Sequence, residues 1–498
     1  MNIFRHKEYI KEYELELLKQ TAPYDYYLIA SGGDTGSGKA DGRGKKGRKA
    51  VLNVDEGSLN EELTDRFSDY RVYELSEWYI FIKEPAVPDW TVISEGLGSE
   101  EPLVYFDHDY ITRGKRHTPY FKPEWSPDTF LSCDYIDDVF AVRAELFESE
   151  AYGSKLKKAA NIHELIWQIA GKGADIGHVG RIAAHIETDS LFDEEVYEEY
   201  VRERNGITVQ KALKALRGDA CPVKGDSYFV SVIIPSKDHS EILENCLRSI
   251  IKSSFNKLNI EVLIVDNGSI ESEKNKITDI INNVCNEFDD KHPEREGAFA
   301  IKYIYEPMEF DFSTMCTLGA REARYGLLLF LNDDIEVRDE DAIEKMCSCA
   351  MREDIGAVGV KLLYPETTLI QHDGITDLDC GPSHKLAGHD DRSVYYFGVN
   401  RFNRNVLAVT GACLMIGKEK YFNIGGFNVK MKVSYNDVEL CLKCLKKGLR
   451  NLLLNDTVMY HHESLLRGRD DISEEKRRRL TVERELLYRT NEWLKRDG

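Results

Sequence analysis

Three short apolar runs in the second half of the chain end in acidic or polar residues. VSVIIPSKDH (230–239), VLIVDNGS (262–269) and LLLFLNDDIEV (327–337) each read as a strand whose carboxyl end carries aspartate or asparagine. A fourth station, SYNDVELCLKCLKKG (434–448), opens a helix and is followed by the strand-like NLLLNDTVMY and by His461 and His462. Between the first two runs, SEILENCLRSIIKSS has Ile242, Leu243, Cys246, Leu247, Ile250 and Ile251 at helical spacing. Strand, helix, strand, helix, strand from residue 227 onward predicts βαβ units and a mostly parallel sheet, and SVIIP is apolar enough to be buried on both faces. Ligands of such sheets bind outside the carboxyl ends of the strands. Asp238, Asp266, Asp333 and Asp334 are therefore expected to converge on one crevice. Close carboxylates are costly there unless a cation or ligand hydroxyls offset them.

The first half is patterned differently. Residues 1–21 predict an amphipathic helix, and YDYYLIA (24–30) is strand-like. Residues 31–50 are rich in glycine and lysine and predict a flexible, exposed loop. Gly33 to Lys39 nearly matches GxxxxGK[ST], but Ala40 stands where the magnesium-binding hydroxyl belongs, and DGRGKKG is a poor helix start. A phosphate-loop nucleotidase would rest on this incomplete motif and on nothing else in the chain. Several strands are expected between residues 51 and 143, among them LVYF, which leads into Asp107-His108-Asp109. A helical link is expected from 145 to about 216, and GDACPVKGD (218–226) punctuates a domain boundary. The resulting division is 1–144, 145–225 and 226–498.

Composition narrows the function classes. The chain has 498 residues, enough for two or three domains, and a formal net charge of −21, which argues against a general nucleic-acid binder. The start, MNIFRHKEYIKEYELELLKQ, is charged throughout, unlike a secretory leader, and no uncharged run approaches the length that crosses a bilayer. A cytoplasmic protein is expected. Eleven cysteines, an odd number, do not form a disulfide framework. Cys441 and Cys444 form a CxxC without a second ligand pair for zinc, and buried structural thiols are expected there and at Cys347 and Cys349.

The four stations in this order resemble the family-2 glycosyltransferases, inverting nucleotide-sugar enzymes of the GT-A fold. The resemblance is closest to the branch that builds O-antigen and rhamnose-containing bacterial surface polysaccharides, and it covers roughly residues 227–471. GKRHTPYFKPEWSPDTFLSCDYI (114–136) is similar to a stretch upstream of the catalytic domain in that branch. The resemblance implies an α/β GT-A fold with a Rossmann-like, mostly parallel sheet. It also implies an N-terminal α+β domain that is a truncated transferase relative, with Asp107 and Asp109 at its vestigial metal-binding strand end. Transfer needs a neutralised diphosphate, a deprotonated acceptor hydroxyl and an aligned sugar. A divalent cation, Mg2+ or Mn2+, serves the first need.

By this resemblance Asp333 faces the ribose and Asp334 binds the metal. Asp266 meets the nucleotide base. Pro235, Ser236, Asp238 and Asn267 line the same pocket, Asn267-Gly268 being also a turn signal. Asp437, in the first turn of its helix, is the candidate general base. His461 or His462 completes the metal site, with His462 favoured, and Arg467 is a candidate clamp on the diphosphate. The segment from Tyr364 to Asn405, with IQHDG, His384, His389, Tyr395, Tyr396 and Phe397, is expected on the acceptor side. The implied partners are a nucleotide-diphospho-sugar donor and a glycan or lipid-linked acceptor, with peripheral contact at the inner face of the plasma membrane. Cys316-Thr317 departs from the paired asparagines usual in that branch. Together with the truncated N-terminal part, this leaves a non-catalytic scaffold with a degenerate transferase fold as the alternative.

Overall fold

The computed structural model describes residues 61–170, 175–189, 227–378, 381–462 and 474–491. The expected N-terminal helix, the 31–50 loop, the boundary at 218–226 and Arg467 lie outside the described residues. The chain divides into two compact units, Met1–Ala215 with Tyr396–Gly398, and Leu216–Tyr395 with Val399–Gly498.

The first unit holds strands β1 (Tyr70–Leu75), β2 (Trp78–Lys83), β3 (Ala86–Pro88), β4 (Leu103–Thr112), β5 (Lys115–Tyr120), β6 (Val139–Arg143) and β7 (Ile176–Glu187). They form one sheet in the order β1-β2-β6-β4-β7-β3, with β5 also on β4. Only β4 and β7 pair in parallel. Trp78, Ile80, Ile82, Val104 and Phe106 supply one of its cores. The expected helical link is helical at Ile162–Ala170, but 176–187 is a twelve-residue strand. Parallel pairing with β4 and antiparallel pairing with β3 satisfy its backbone on both sides.

The second unit holds β8 (Tyr228–Ser236), β9 (Leu258–Asp266), β10 (Phe299–Tyr305), β11 (Leu327–Leu331), β12 (Ile335–Val337), β13 (Ile355–Leu363), β14 (Ile370–His372), β15 (Ile375–Leu378), β16 (Gly381–His384), β17 (Arg404–Val406), β18 (Cys413–Gly417) and β19 (Arg450–His461). The main sheet runs β10-β9-β8-β11-β18-β13-β19-β12. β10, β9, β8, β11, β13 and β19 point one way, with β18 and β12 against them. Alternation sends Val232 and Ile234 to one face, against Leu243, Leu247 and Ile250 of the helix Ser240–Ile250. Ile233 goes to the other face, with Met315 of the helix Phe312–Glu322 and Leu440 of the helix Asn436–Lys446. Each such fully buried aliphatic side chain stabilises by roughly 1.5–3 kcal/mol. Two cores thus hold the sheet flat-side to helices and leave its strand ends to carry chemistry.

Part of each unit is built on one register. β2 pairs antiparallel with β6, and β6 with β4, as β11 pairs with β18 and β18 with β13. β4 runs parallel to β7 with a bulge between Phe106 and Asp107; β13 runs parallel to β19 with a bulge between Val360 and Lys361. The Lys83 N–H donates to the Asp138 carbonyl at 2.9 Å, as the Asn332 N–H donates to the Ala412 carbonyl at 2.9 Å. The Glu187 N–H reaches the Pro85 carbonyl at 2.9 Å, as the His462 N–H reaches the Asp334 carbonyl at 2.9 Å. Lys83-Glu84-Pro85 therefore holds the place of Asn332-Asp333-Asp334, and Ile186-Glu187 that of His461-His462.

This corrects the reading of Asp107 and Asp109. They are not at a strand end: β4 continues to Thr112 and is paired on both sides. Asp107 accepts from the Lys122 N–H at 2.9 Å and sits 2.9 Å from His178 Nε2, while Asp109 holds Arg116 at 2.6 Å and also His185. Burial demands such partners for a carboxylate.

Candidate active site

The apolar run of β8 ends at Pro235 and Ser236, both buried beside the end of β11. The Ser236 hydroxyl donates to Asp333 Oδ2 at 2.8 Å, joining the two strand ends. Asp238 sits in the left-handed region at φ 56°, which aspartate tolerates better than most residues. Its backbone N–H donates to Ser269 Oγ and its carboxylate accepts from the Ile270 N–H, both at 2.8 Å. The loops after β8 and β9 are thereby tied together. Pro235, Ser236, Asp238, Asn267, Phe310, Asp333 and Asp334 line a single cleft of about 340 Å³.

Asp266 does not reach that cleft. It is fully buried, and its Oδ1 accepts from the Gly268 and Ser269 N–H groups at 2.8 Å each. The Tyr303 hydroxyl donates to its other oxygen. Gly268 makes this turn with φ 129°, open to glycine alone. Asn267, one residue on, lines the cleft instead. Its Nδ2 donates to the Met308 carbonyl at 3.0 Å, and its buried Oδ1 has no hydrogen-bond partner among the described residues.

β11 ends at Leu331 and the chain turns through Asn332-Asp333-Asp334 into β12. β12 pairs with β19 at Ile335–His461. Asp334 lies in the turn before β12, and its Oδ1 stands 3.2 Å from His461 Nε2. His462, whose N–H meets the Asp334 carbonyl, sends its Nε2 to within 3.3 Å of Glu336 Oε2 on its own face of the strand pair. The expectation that favoured His462 is corrected here: His461 stands beside the aspartate.

Asp437 is reached from the other core. Tyr435 precedes it in the left-handed region (φ 58°, ψ 6°), a strained conformation for a bulky residue, of order 1–3 kcal/mol. The segment is held there from outside. Buried Glu483 accepts from the Lys432 and Ser434 N–H groups at 3.0 and 2.7 Å, and the Asn436 amide donates to Ser313 Oγ at 3.2 Å. Half-buried Asp437 accepts from the Gly411 N–H at 2.8 Å and from the Val438 N–H at 2.7 Å. Gly411 precedes Ala412, whose carbonyl accepts the Asn332 N–H. One short stretch of backbone, Thr410 to Ala412, thus touches both the acidic strand end and the candidate base. The Thr410 N–H in turn donates to His372 Nε2 at 3.3 Å. Burial, with His384, Arg404 and His461 nearby, pushes the His372 imidazole well below its ordinary value, so it stands neutral as that acceptor.

The structure therefore brings Pro235, Ser236, Asp238, Asn267, Asp333 and Asp334 to one cleft, sets His461 beside Asp334, and joins Asp437 to Asn332 through Gly411–Ala412. It leaves Asp266 behind the cleft wall. Sequence reasoning missed Tyr303, His372, Gly411 and Glu483. Of these only the histidine of IQHDG carried a visible signal. Cys316 is core and the Thr317 hydroxyl donates to the Ser313 carbonyl at 2.7 Å, so neither lines the cleft. His389 and Tyr395, expected toward an acceptor, are buried. Tyr396–Gly398 belongs to the first unit, where Phe397 stacks on Tyr120 at 3.9 Å. The Cys441 and Cys444 thiols are buried on one helix and pushed up by burial, Cys444 to about 12.

Residues 231–421 match the family model described as glycosyl transferase family 2. The O-antigen biosynthesis protein RfbC of Myxococcus xanthus is 29% identical over 397 residues, 75% of this chain and 29% of that protein. An uncharacterised protein of Sinorhizobium fredii, y4gI, is 27% identical over 417 residues, 79% of this chain and 44% of its own length. The chain thus spans less than half of either relative. A mannosyltransferase from Pyrobaculum calidifontis, solved with GDP-Man and Mn2+, aligns at a TM-score of 0.37 and 15% identity, covering 61% of this chain and 77% of that one.

Proposed function

We propose, from the match of residues 231–421 to the glycosyl transferase family 2 model, an inverting, metal-dependent transfer from a nucleotide-diphospho-sugar to a glycan or lipid-linked acceptor. The setting proposed is bacterial cell-surface polysaccharide assembly. The observation that carries this reading is the coupling of two carboxylates by backbone: Asp437 to Gly411, and Ala412 to the Asn332-Asp333-Asp334 turn. A donor and an acceptor must meet at a fixed distance for transfer, and a rigid link between their carboxylates supplies it.

The residues fit a divalent cation. Asp334 offers a carboxylate oxygen and His461 an imidazole nitrogen 3.2 Å away. Among the described residues no group of three His, Cys, Asp or Glu side chains forms a cage. A cation held by Asp334 and His461 would take its remaining ligands from diphosphate and water, as magnesium sites commonly do. It would supply charge neutralisation on the leaving diphosphate. Asp333, fixed by the Ser236 hydroxyl, orients the ribose. Asn267, which lines the cleft, is the candidate to meet the base, since Asp266 is spent on its own turn and on Tyr303. Asp437 takes the proton of the acceptor hydroxyl. No helix among the described residues is long and apolar enough to cross a membrane.

The test is a panel of UDP-, GDP- and dTDP-sugars, each with and without Mn2+, read by thermal shift and by nucleotide release. One nucleotide class should stabilise the protein only with metal, because a ligand of the folded state alone raises apparent stability. Folded protein that neither shifts nor turns over any member would sink the reading and favour a scaffold.

A further inference from the structure

The shared register has a functional counterpart in the first unit. There a pocket of about 260 Å³ is lined by Tyr70, Lys83, Asp134, Asp137, Asn161 and His163, among others. Carrying the register across, Lys83 stands where Asn332 stands and Asp137 where Gly411 stands. Counting back from the start of β7, which matches β19 at Asn451, Asn161 falls at Asn436 and Ile162 at Asp437. The pocket thus lies over the places of Asn332, Gly411 and Asn436 in the second unit, whose own cleft is lined mainly from the loops after β8 and β9. The groups with candidate chemistry there have no like counterpart in the first unit. Glu84-Pro85 replaces Asp333-Asp334, Ile186 replaces His461, and Ile162 replaces the base.

What remains is a polar recess without reactive groups. Lys83 Nζ lies 3.2 Å from Asp137 Oδ2, and His163 Nδ1 lies 3.2 Å from Asp134 Oδ2. His163 is fully buried, and its Nε2 has no hydrogen-bond partner among the described residues. The recess mixes carboxylate acceptors with ammonium, amide and imidazole groups over an aromatic wall of Phe67 and Tyr70. That mixture suits sugar hydroxyls, which both donate and accept. A nucleotide is a poor fit, because β1 pairs antiparallel with β2 where β8 runs parallel to β11, so the described residues carry no donor half.

We propose that the first unit is a saccharide-binding module, holding one sugar unit of a glycan in the pocket between Lys83, Asp134, Asp137 and His163. The ligand class rests on reading the second unit as a glycosyltransferase; the pocket itself does not. The test is saturation-transfer NMR on the full chain with the methyl glycosides of rhamnose, glucose, galactose and N-acetylglucosamine. At least one should receive saturation, and keep it in a chain carrying Asp334→Asn and Asp437→Asn. Its binding should weaken about tenfold in Asp137→Leu, the worth of a hydrogen bond to a charged group. Lys83→Gln, at a part-exposed position, should weaken it in the same direction without threatening the fold. Saturation of none of the glycosides by folded protein would overturn the proposal. So would binding lost in the Asp334/Asp437 variant and kept in both pocket variants. Glycoside binding in a protein that turns over no donor would leave this inference standing and remove the transferase reading alone.

Discussion

Replacing Asp437 with asparagine separates a catalytic base from a helix-terminal aspartate. Asp437 accepts two backbone hydrogen bonds, from Gly411 and Val438. Asparagine keeps one acceptor oxygen and turns an N–H toward the other donor. The loss is one charge-assisted hydrogen bond and a dipole interaction, together about 1–3 kcal/mol. Partial exposure of the side chain favours the low end. A domain with about 5–15 kcal/mol of stability survives this, so the variant should fold. A missing general base is a different loss, about 100- to 10,000-fold in rate, or roughly 3–5 kcal/mol in the barrier. The assay is steady-state nucleotide release at saturating donor and acceptor, normalised to folded protein, alongside thermal unfolding. A kcat within about tenfold of the parent would refute the assignment, whatever happened to the melting temperature.

Further outcomes follow from the same geometry. His461→Ala should raise the Mn2+ concentration needed for half-maximal activity, whereas His462→Ala should leave it nearly unchanged; equal effects in a metal titration would undo the distinction drawn from the 3.2 Å between His461 and Asp334. Asn267→Ala should raise the donor KM with little change in kcat, as expected for lost uniform binding, and an unchanged KM would remove Asn267 from the donor site. Gly319→Ala should cost about 1–3 kcal/mol by overpacking, since its Cβ would sit 2.4 Å from the Ile233 methyl; a denaturant midpoint equal to the parent's would contradict this packing. His178 gives a pH dependence. Burial alone would lower its imidazole, but hydrogen bonds to Asp107 and Glu124 outweigh it and raise the group to about 9. A raised folded pKa stabilises fully below the unfolded value near 6.5 and is lost as pH climbs through about 9. Thermal stability should therefore fall between neutral pH and about pH 9. In His178→Gln this fall should be reduced, and a parent curve flat over that window would refute the pairing.

The second unit's sheet was readable because its strands are uninterrupted apolar runs that stop at carboxylates, and both signals are local. Asp437 was readable for the same reason, as the first acid of an amphipathic helix. What pairing decides was not readable. Asp107 and Asp109 follow an apolar run just as Asp333 and Asp334 do, and only β5 and β7 on either side make one pair interior and the other terminal. β7 is not legible as a strand: His178, Arg181 and His185 interrupt its apolar positions and meet acids instead. Asp266 and Asn267 are adjacent, and the turn that sends one inward depends on Tyr303, on a strand more than thirty residues away.

The Thr410–Ala412 rung also bears on how this protein can diversify. The segment between β14 and β17, on the expected acceptor side, starts beside His372 and rejoins the sheet just before that rung, while Asp437 and the acidic turn hang from the rung itself. Exposed positions within that segment can therefore change without touching the hydrogen bonds that tie Asp437 and Asn332 to the rung. The two carboxylates thus keep their spacing through the sheet, and the loop that passes them is held by its own buried partners, Asp373 on Arg404 and Asp391 on Lys361.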